Sequence, residues 1–194
     1  MFNQHPSHFV EHAMTTTPIP AGTWTIDPSH SEVGFSVRHL MVSKVKGTFG
    51  TFEGAVTVAD DPLQSSVNAT IDLASISTGD AQRDGHLKSD DFFGVESNPT
   101  MTFASTSVAA KGDDFAVSGD LTIKGVTKVV ELALEFNGVG PDPWGGTRAG
   151  FTATTEISRK EFGVDIDMPL EGGGVVVGDK ISITLEVEAV LQAA

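Results

Sequence analysis

The sequence predicts an all-β, antiparallel domain. Apolar residues recur at every second position over most of the chain, short turn-forming clusters separate these runs, and one stretch alone departs from the pattern. Strict alternation puts successive side chains on opposite faces of a strand, so each run has one apolar and one polar face. Short links between such runs make antiparallel neighbours.

Residues 1–20 come first and are polar and threonine-rich, with Pro6, Pro18 and Pro20 and no usable periodicity. They read as a disordered leader, with the domain over 21–194 and Met14 as an alternative start. Beyond Gly22 the alternation begins: Val33, Phe35 and Val37 share one face, then Phe52, Val56 and Val58 with Gly54 between them, then Val67, Ala69, Ile71 and Leu73. A departure follows over residues 79–93, where Asp80-Ala81-Gln82-Arg83-Asp84 leads into His86-Leu87-Lys88, a short helical insertion weakened by Gly85. The clearest strand is Phe115, Val117, Gly119, Leu121 and Ile123 against Ala116, Ser118, Asp120, Thr122 and Lys124. Val130, Leu132, Leu134 and Phe136 form the next apolar face, and Ile181, Ile183, Leu185 and Val187 the last. Asp60-Asp61-Pro62, Lys111-Gly112-Asp113-Asp114, Lys124-Gly125, the segment Gly138 to Gly146 and Gly172-Gly173-Gly174 supply the turns.

Bulk properties narrow the function. A chain of 194 residues with 39% hydrophobic and 20% charged residues fits one globular domain. Its formal charge of −14 opposes a phosphate backbone and an anionic membrane surface alike, so nucleic acid is not an expected partner. Zero cysteines exclude disulfides, thiolate metal sites and cysteine nucleophiles. No apolar run reaches the roughly 18 residues of a membrane-spanning helix. The first residues lack the basic and apolar regions of a secretory signal, which predicts a cytoplasmic location.

About eight strands with one greasy face each must bury it in a sandwich or a closed barrel, and alternation alone does not choose. A barrel of roughly eight strands has room for one small ligand. Three stretches decide the matter by resemblance. They are Trp24-Thr25-Ile26-Asp27-Pro28-Ser29-His30 through Arg38-His39 with Lys46-Gly47-Thr48-Phe49; Ile76-Ser77-Thr78-Gly79-Asp80 through Asp91-Phe92-Phe93 and Asn98-Pro99-Thr100-Met101-Thr102-Phe103; and Gly119 to Thr127 with Ile157-Ser158-Arg159-Lys160-Glu161-Phe162-Gly163. In these the chain resembles the YceI-like family of polyisoprenoid-binding proteins. The resemblance implies an antiparallel, lipocalin-like β-barrel with a short helical insertion, an apolar tunnel holding an isoprenoid lipid of polyprenyl or quinone type, a storage or transport role, and a tendency to form homodimers.

An isoprenoid tail offers no hydrogen bonds, so its site needs apolar area, and twelve phenylalanines with no tyrosine supply aromatic surface without a polar handle. The expected lining takes Val33, Phe35 and Val37 from the first run, Phe92 and Phe93 beside the insertion, and Met101 and Phe103 after it. Leu121, Ile123, Leu134 and Phe136 follow, with Phe151, Ile183 and Leu185 completing the set. Phe92, Phe93 and Met101 are expected near a mouth. Every one of these is equally a core position of an empty barrel.

His30, Arg38, His39, Arg83, His86 and Arg159 are candidates for contact with a lipid head group; Asp84 and His86 also read as pins of the insertion, and Arg159 as a structural ion pair or as support for the loop before Phe162. No metal or other cofactor is expected. His5, His8 and His12 have helical spacing, but Pro6 argues against a helix there. No catalytic residue is assigned. There is no Gly-x-Ser-x-Gly elbow, Asp165 and Asp167 read as a solvated loop, and Gly172-Gly173-Gly174 lacks the lysine of a phosphate loop. The alternative kept open is an enzyme acting on an isoprenoid-like substrate in the same cavity.

Overall fold

In a computed structural model, which describes residues 18–168 and 176–193, the alternating runs form one continuous antiparallel sheet that closes on itself. Its segments are β1 (Gly22–Ile26), β2 (Glu32–His39), β3 (Ser43–Phe49), β4 (Phe52–Val58), β5 (Ser66–Asp72), β6 (Ile76–Ser77), β7 (Thr100–Lys111), β8 (Asp114–Ile123), β9 (Val126–Pro141), β10 (Thr147–Ser158) and β11 (Val177–Leu191). Both β1 and β2 pair with β11, β4 pairs with β1 while β3 pairs with β2, and β5 pairs with β4 while β6 pairs with β3. The first three staves are therefore each broken in two, and the wall is a closed barrel of eight.

Local chemistry explains the breaks. Between β1 and β2 the Asp27 carboxylate caps a 3-10 turn at Pro28–His30, where proline offers no ladder donor. Between β5 and β6 the Asp72 carboxylate accepts from the Ala74 amide at 2.8 Å and caps the turn Leu73–Ser75. Each short acidic side chain satisfies a donor the ladder has lost.

The helical insertion is α1 (Ala81–Lys88), capped by Asp80, whose carboxylate accepts from the Arg83 amide at 2.8 Å. Asp84 ties it to the sheet by accepting from the Thr78 amide and hydroxyl. The turn expected over Gly138 to Gly146 is shorter than the sequence suggests, because β9 runs on to Pro141. A register shift opposite Gly150 and Phe151 absorbs Asn137 as a bulge, so glycines there continue the strand. The turn expected at Gly172-Gly173-Gly174 lies outside the described residues.

The barrel has two unlike ends. At one, β1 begins and the β4–β5, β7–β8 and β9–β10 connections lie. At the other are the β2–β3 and β8–β9 turns, α1, and the 3-10 turn Arg159–Phe162. This second end is filled. Phe49, Phe52, Ile71, Leu73 and Ile76 pack there with Phe35, Leu87 and Phe93, and Phe162 is fully buried against Leu121, Ile123 and Ile157. The β9–β10 ladder stops at Ala133 and Thr154. Phe162 packs against Val130 and Ile157 where that seam is unzipped.

Candidate functional site

Because inward positions alternate along every strand, the greasy faces line a common interior, and toward the first end they do not meet. They enclose a cavity of about 580 Å³. Phe103, Val117, Leu121, Leu132, Leu134 and Phe136 form one side of its wall, and Val33, Phe151, Ile183, Leu185 and Val187 the other. Among the described residues the polar side chains on the lining are Asp60, Ser65, Ser66 and Thr155. The first three belong to the rim around the β4–β5 connection, which Pro18 and Ile19 complete. Beside the rim the Trp24 side chain is fully buried and donates from Nε1 to the Pro20 carbonyl at 3.1 Å.

The bore is set in part by glycine. The Phe103 ring lies over Gly119 and the Phe35 ring over Gly47, so closely that a Cβ at either glycine would come within 2.4 Å of the ring. Flattened on the wall, Phe103 leaves the lumen open.

Among the expected lining residues, Val33, Met101, Phe103, Leu121, Ile123, Leu134, Phe136, Phe151, Ile183 and Leu185 all face this cavity. Phe35, Val37, Phe92 and Phe93 do not. Phe35 packs on Phe49 with ring centroids 5.6 Å apart, Phe93 meets Phe49 edge-on at 6.3 Å, and Phe92 is buried beneath His86. They sit in the filled end, so the insertion stands over the closed floor and not beside the mouth. Val117, Val130, Leu132 and Val187, which share faces with the expected residues, also line the cavity; continuing the same alternation finds them. No pattern marks the rim residues Pro18, Ile19, Asp60 and Ser65.

The six polar candidates do not converge on the cavity. His30 is exposed on the 3-10 turn with Nδ1 2.8 Å from the Asp27 carboxylate. Arg38 is exposed on the outer face of β2, and His39 ends that strand. Arg83 donates to the Thr78 hydroxyl at 2.7 Å and its carbonyl at 3.0 Å, while His86 Nε2 lies 2.9 Å from Asp91. Arg159 is buried at 5% exposure, and its guanidinium donates to the carbonyls of Gly178, Val164, Ile166 and Val177. It ties the start of β11 to the segment after Phe162. Asp167 lies in that segment, ion-paired with Lys160 at 2.7 Å, which holds its carboxyl below the usual range. His5, His8 and His12 lie outside the described residues.

A separate charged cluster occupies the outer wall at the first end. The Arg148 guanidinium donates to Asp27 at 2.7 Å, to Glu188 at 2.5 Å and to Asp142 at 3.2 Å, and lies 5.8 Å over the exposed Trp144 ring. Arg148, with smaller help from Ser29 and His30, holds the Asp27 carboxyl well below the ordinary carboxylate range. Asp27, His30 and Glu188 approach within metal-ligand reach of one another, but the guanidinium already takes up both carboxylates.

Comparison with known proteins places this geometry. Residues 24–189 match the YceI-like domain family. Protein YceI of Escherichia coli O17:K52:H18 is 45% identical over 140 residues, 72% of this chain and 73% of that protein. BcnA of Burkholderia cenocepacia has the same fold, with a TM-score of 0.71 at 24% identity over 84% of this chain and 98% of that one. A polyisoprenoid binding domain from Saccharophagus degradans, implicated in plant cell wall breakdown, superposes with a TM-score of 0.67 at 16% identity over 87% of this chain and 98% of that domain. Among the described residues no helix is long and apolar enough to cross a membrane.

Proposed function

We propose, on the premise that this chain belongs to the YceI-like domain family, that its barrel binds a long isoprenoid lipid by the tail and stores or carries it. The observation that carries the reading is the cavity of about 580 Å³, whose polar side chains are three at the rim and Thr155 within. Such a wall discriminates by shape and apolar area. Inside the rim its described lining gives a polar ligand one side-chain partner, Thr155, and each ligand group left unpaired would cost about 1–3 kcal/mol.

Burying each tail CH₂ contributes about 0.8 kcal/mol before ordering costs, so a few isoprene units suffice for tight binding. The head group then stays at the rim, where Asp60, Ser65 and Ser66 sit. The polyisoprenoid-binding description of the Saccharophagus degradans domain, which shares the barrel, supports this cargo class. The enzyme alternative needs acid and base groups facing the substrate, and the described lining offers one ionisable side chain, Asp60 at the rim. Binding is the reading the lining favours.

Native mass spectrometry of freshly purified protein, followed by organic extraction, tests it. A bound polyprenyl or isoprenoid-quinone species, one per chain, is expected. An empty protein that also refuses added polyprenol would refute the reading, and chemical turnover of the bound lipid would favour the enzyme.

A further inference from the structure

The β2–β3 hairpin, at the filled end of the barrel, combines three features that the fold does not itself require. Its tip is the three-residue loop Leu40 to Val42 between the paired His39 and Ser43; in the turn His39 to Val42 the central residues Leu40 and Met41 have φ 51° and 62°, and the Val42 amide donates to the His39 carbonyl at 3.2 Å. Left-handed backbone at both central positions is the usual hairpin solution, but glycine, asparagine and aspartate are the residues that adopt it without strain. Here two bulky apolar residues hold it. They also face water: Leu40 is 40%, Met41 54% and Val42 82% exposed.

The third feature is charge. Arg38 pairs directly with Lys44 across the ladder, and Lys46 stands one outward position further along, all three exposed. Like charges directly opposite one another destabilise a strand pair. From Val33 to Phe52 there is no acidic residue, in a chain that carries 26 acidic against 12 basic residues. The overall charge of −14 is therefore absent from this hairpin.

We propose that the hairpin docks the barrel on a bilayer containing anionic phospholipid, with Leu40, Met41 and Val42 entering the interface and Arg38, Lys44 and Lys46 meeting the phosphates. One surface relieves all three features. The apolar tip leaves water, the basic collar gains counter-charges, and the left-handed turn, held beside β11 by the Leu40 amide donating to the Val176 carbonyl at 2.9 Å, keeps Leu40, Met41 and Val42 exposed at the barrel end. Repulsion from the acidic groups at the rim end is screened, because the Debye length is about 8–10 Å whereas a 15-residue strand such as β11 spans about 50 Å; of the acidic groups that share the hairpin's end, Asp167 is paired with Lys160, Asp179 accepts from the Ser158 hydroxyl and Asp84 from Thr78. Docking at this end leaves the cavity rim facing away from the bilayer. The inference rests on the hairpin's own geometry and not on the cargo.

Sedimentation with vesicles of phosphatidylcholine alone, and of phosphatidylcholine with phosphatidylglycerol, tests it at low and high salt. Wild-type protein is expected to bind the anionic vesicles and to release as salt rises. Leu40→Asn with Met41→Gly suits the turn better, so its thermal midpoint should equal or exceed the wild type while vesicle binding weakens roughly tenfold or more. Lys44→Gln with Lys46→Gln should weaken binding to a similar degree and flatten the salt dependence. The chain has no cysteine, so Val42→Cys gives a single labelling site; an environment-sensitive dye there should shift to the blue on vesicle binding, and one on Leu63→Cys at the opposite end should not. Lipid content of the purified variants should equal the wild type.

No binding to anionic vesicles at low salt overturns the proposal. So does undiminished binding by the folded variants, a blue shift at residue 63 without one at 42, or a hairpin that instead joins two copies of this chain or another protein with no affinity for vesicles.

Discussion

Replacing Val117 by aspartate tests the cavity without overfilling it, since the aspartate side chain is no bulkier than that of valine. Val117 is 3% exposed, lines the cavity, and has Val108 and Leu132 directly across its two ladders, so no basic group stands ready to pair with a carboxylate there. In an unfilled barrel cavity water can hydrate the new charge, and the fold should survive. A lipid tail displaces that water, and desolvation then raises the carboxyl pKa by about 2–3 units. At 1.36 kcal/mol per unit this costs the bound state about 3–4 kcal/mol at pH 7, a loss of affinity of roughly 100- to 1000-fold. Because the bound-state pKa is the raised one, binding is favoured by protonation. It should recover as pH falls through about 6 and be lost again as pH rises. Val117→Thr, which cannot ionise, should cost about 1–2 kcal/mol with no added pH dependence. Titration of the delipidated proteins with a polyprenol across this pH range, with circular dichroism to verify folding, decides the matter. Wild-type affinity in a folded Val117→Asp variant at pH 7 would refute the placement of the lipid against this wall.

Arg159→Ala removes the donor from four backbone carbonyls and should lower unfolding stability by about 3 kcal/mol or more in denaturant titration, with Arg159→Lys recovering little because one ammonium cannot span that set. Lipid content per folded molecule should not change. Asp27→Asn should lower the thermal midpoint at neutral pH; the wild-type carboxyl is depressed chiefly by Arg148, so its stabilisation is complete above the unfolded value near 4 and the gap should close as pH falls below it. Gly119→Ala should destabilise by about 1–3 kcal/mol, and Phe103→Ala should not rescue it, since the new Cβ would still lie 2.6 Å from the Ala104 carbonyl.

Much of the wall was legible because alternation is a direct consequence of strand geometry. The run from Phe115 to Ile123 became β8 (Asp114–Ile123) with its odd positions inward, and Phe136 and Phe151 meet across the β9–β10 ladder with ring centroids 5.5 Å apart. Which end of the barrel is open was not legible. Phe92 and Phe93 adjoin the helical insertion in sequence, but adjacency does not say which end an insertion covers, and here it closes the floor. Arg159 has the sequence signature of a charged residue seeking a partner. It has an ion pair with Asp167 at 3.5 Å, as a charged residue would seek, but its hydrogen bonds go to main-chain carbonyls from Val164 to Gly178, which no side-chain pattern can announce. The Leu40-Met41 turn was hidden for a related reason, since these residue types do not advertise a left-handed backbone.

Affinity measured against a series of polyprenols of increasing length, with the head group varied separately, tests the tail-binding account most directly. Affinity should climb by up to about 4 kcal/mol per five-carbon unit before ordering losses, then level off once the cavity is full, while exchanging the head group changes it little. Affinity that follows the head group and ignores tail length would contradict the account.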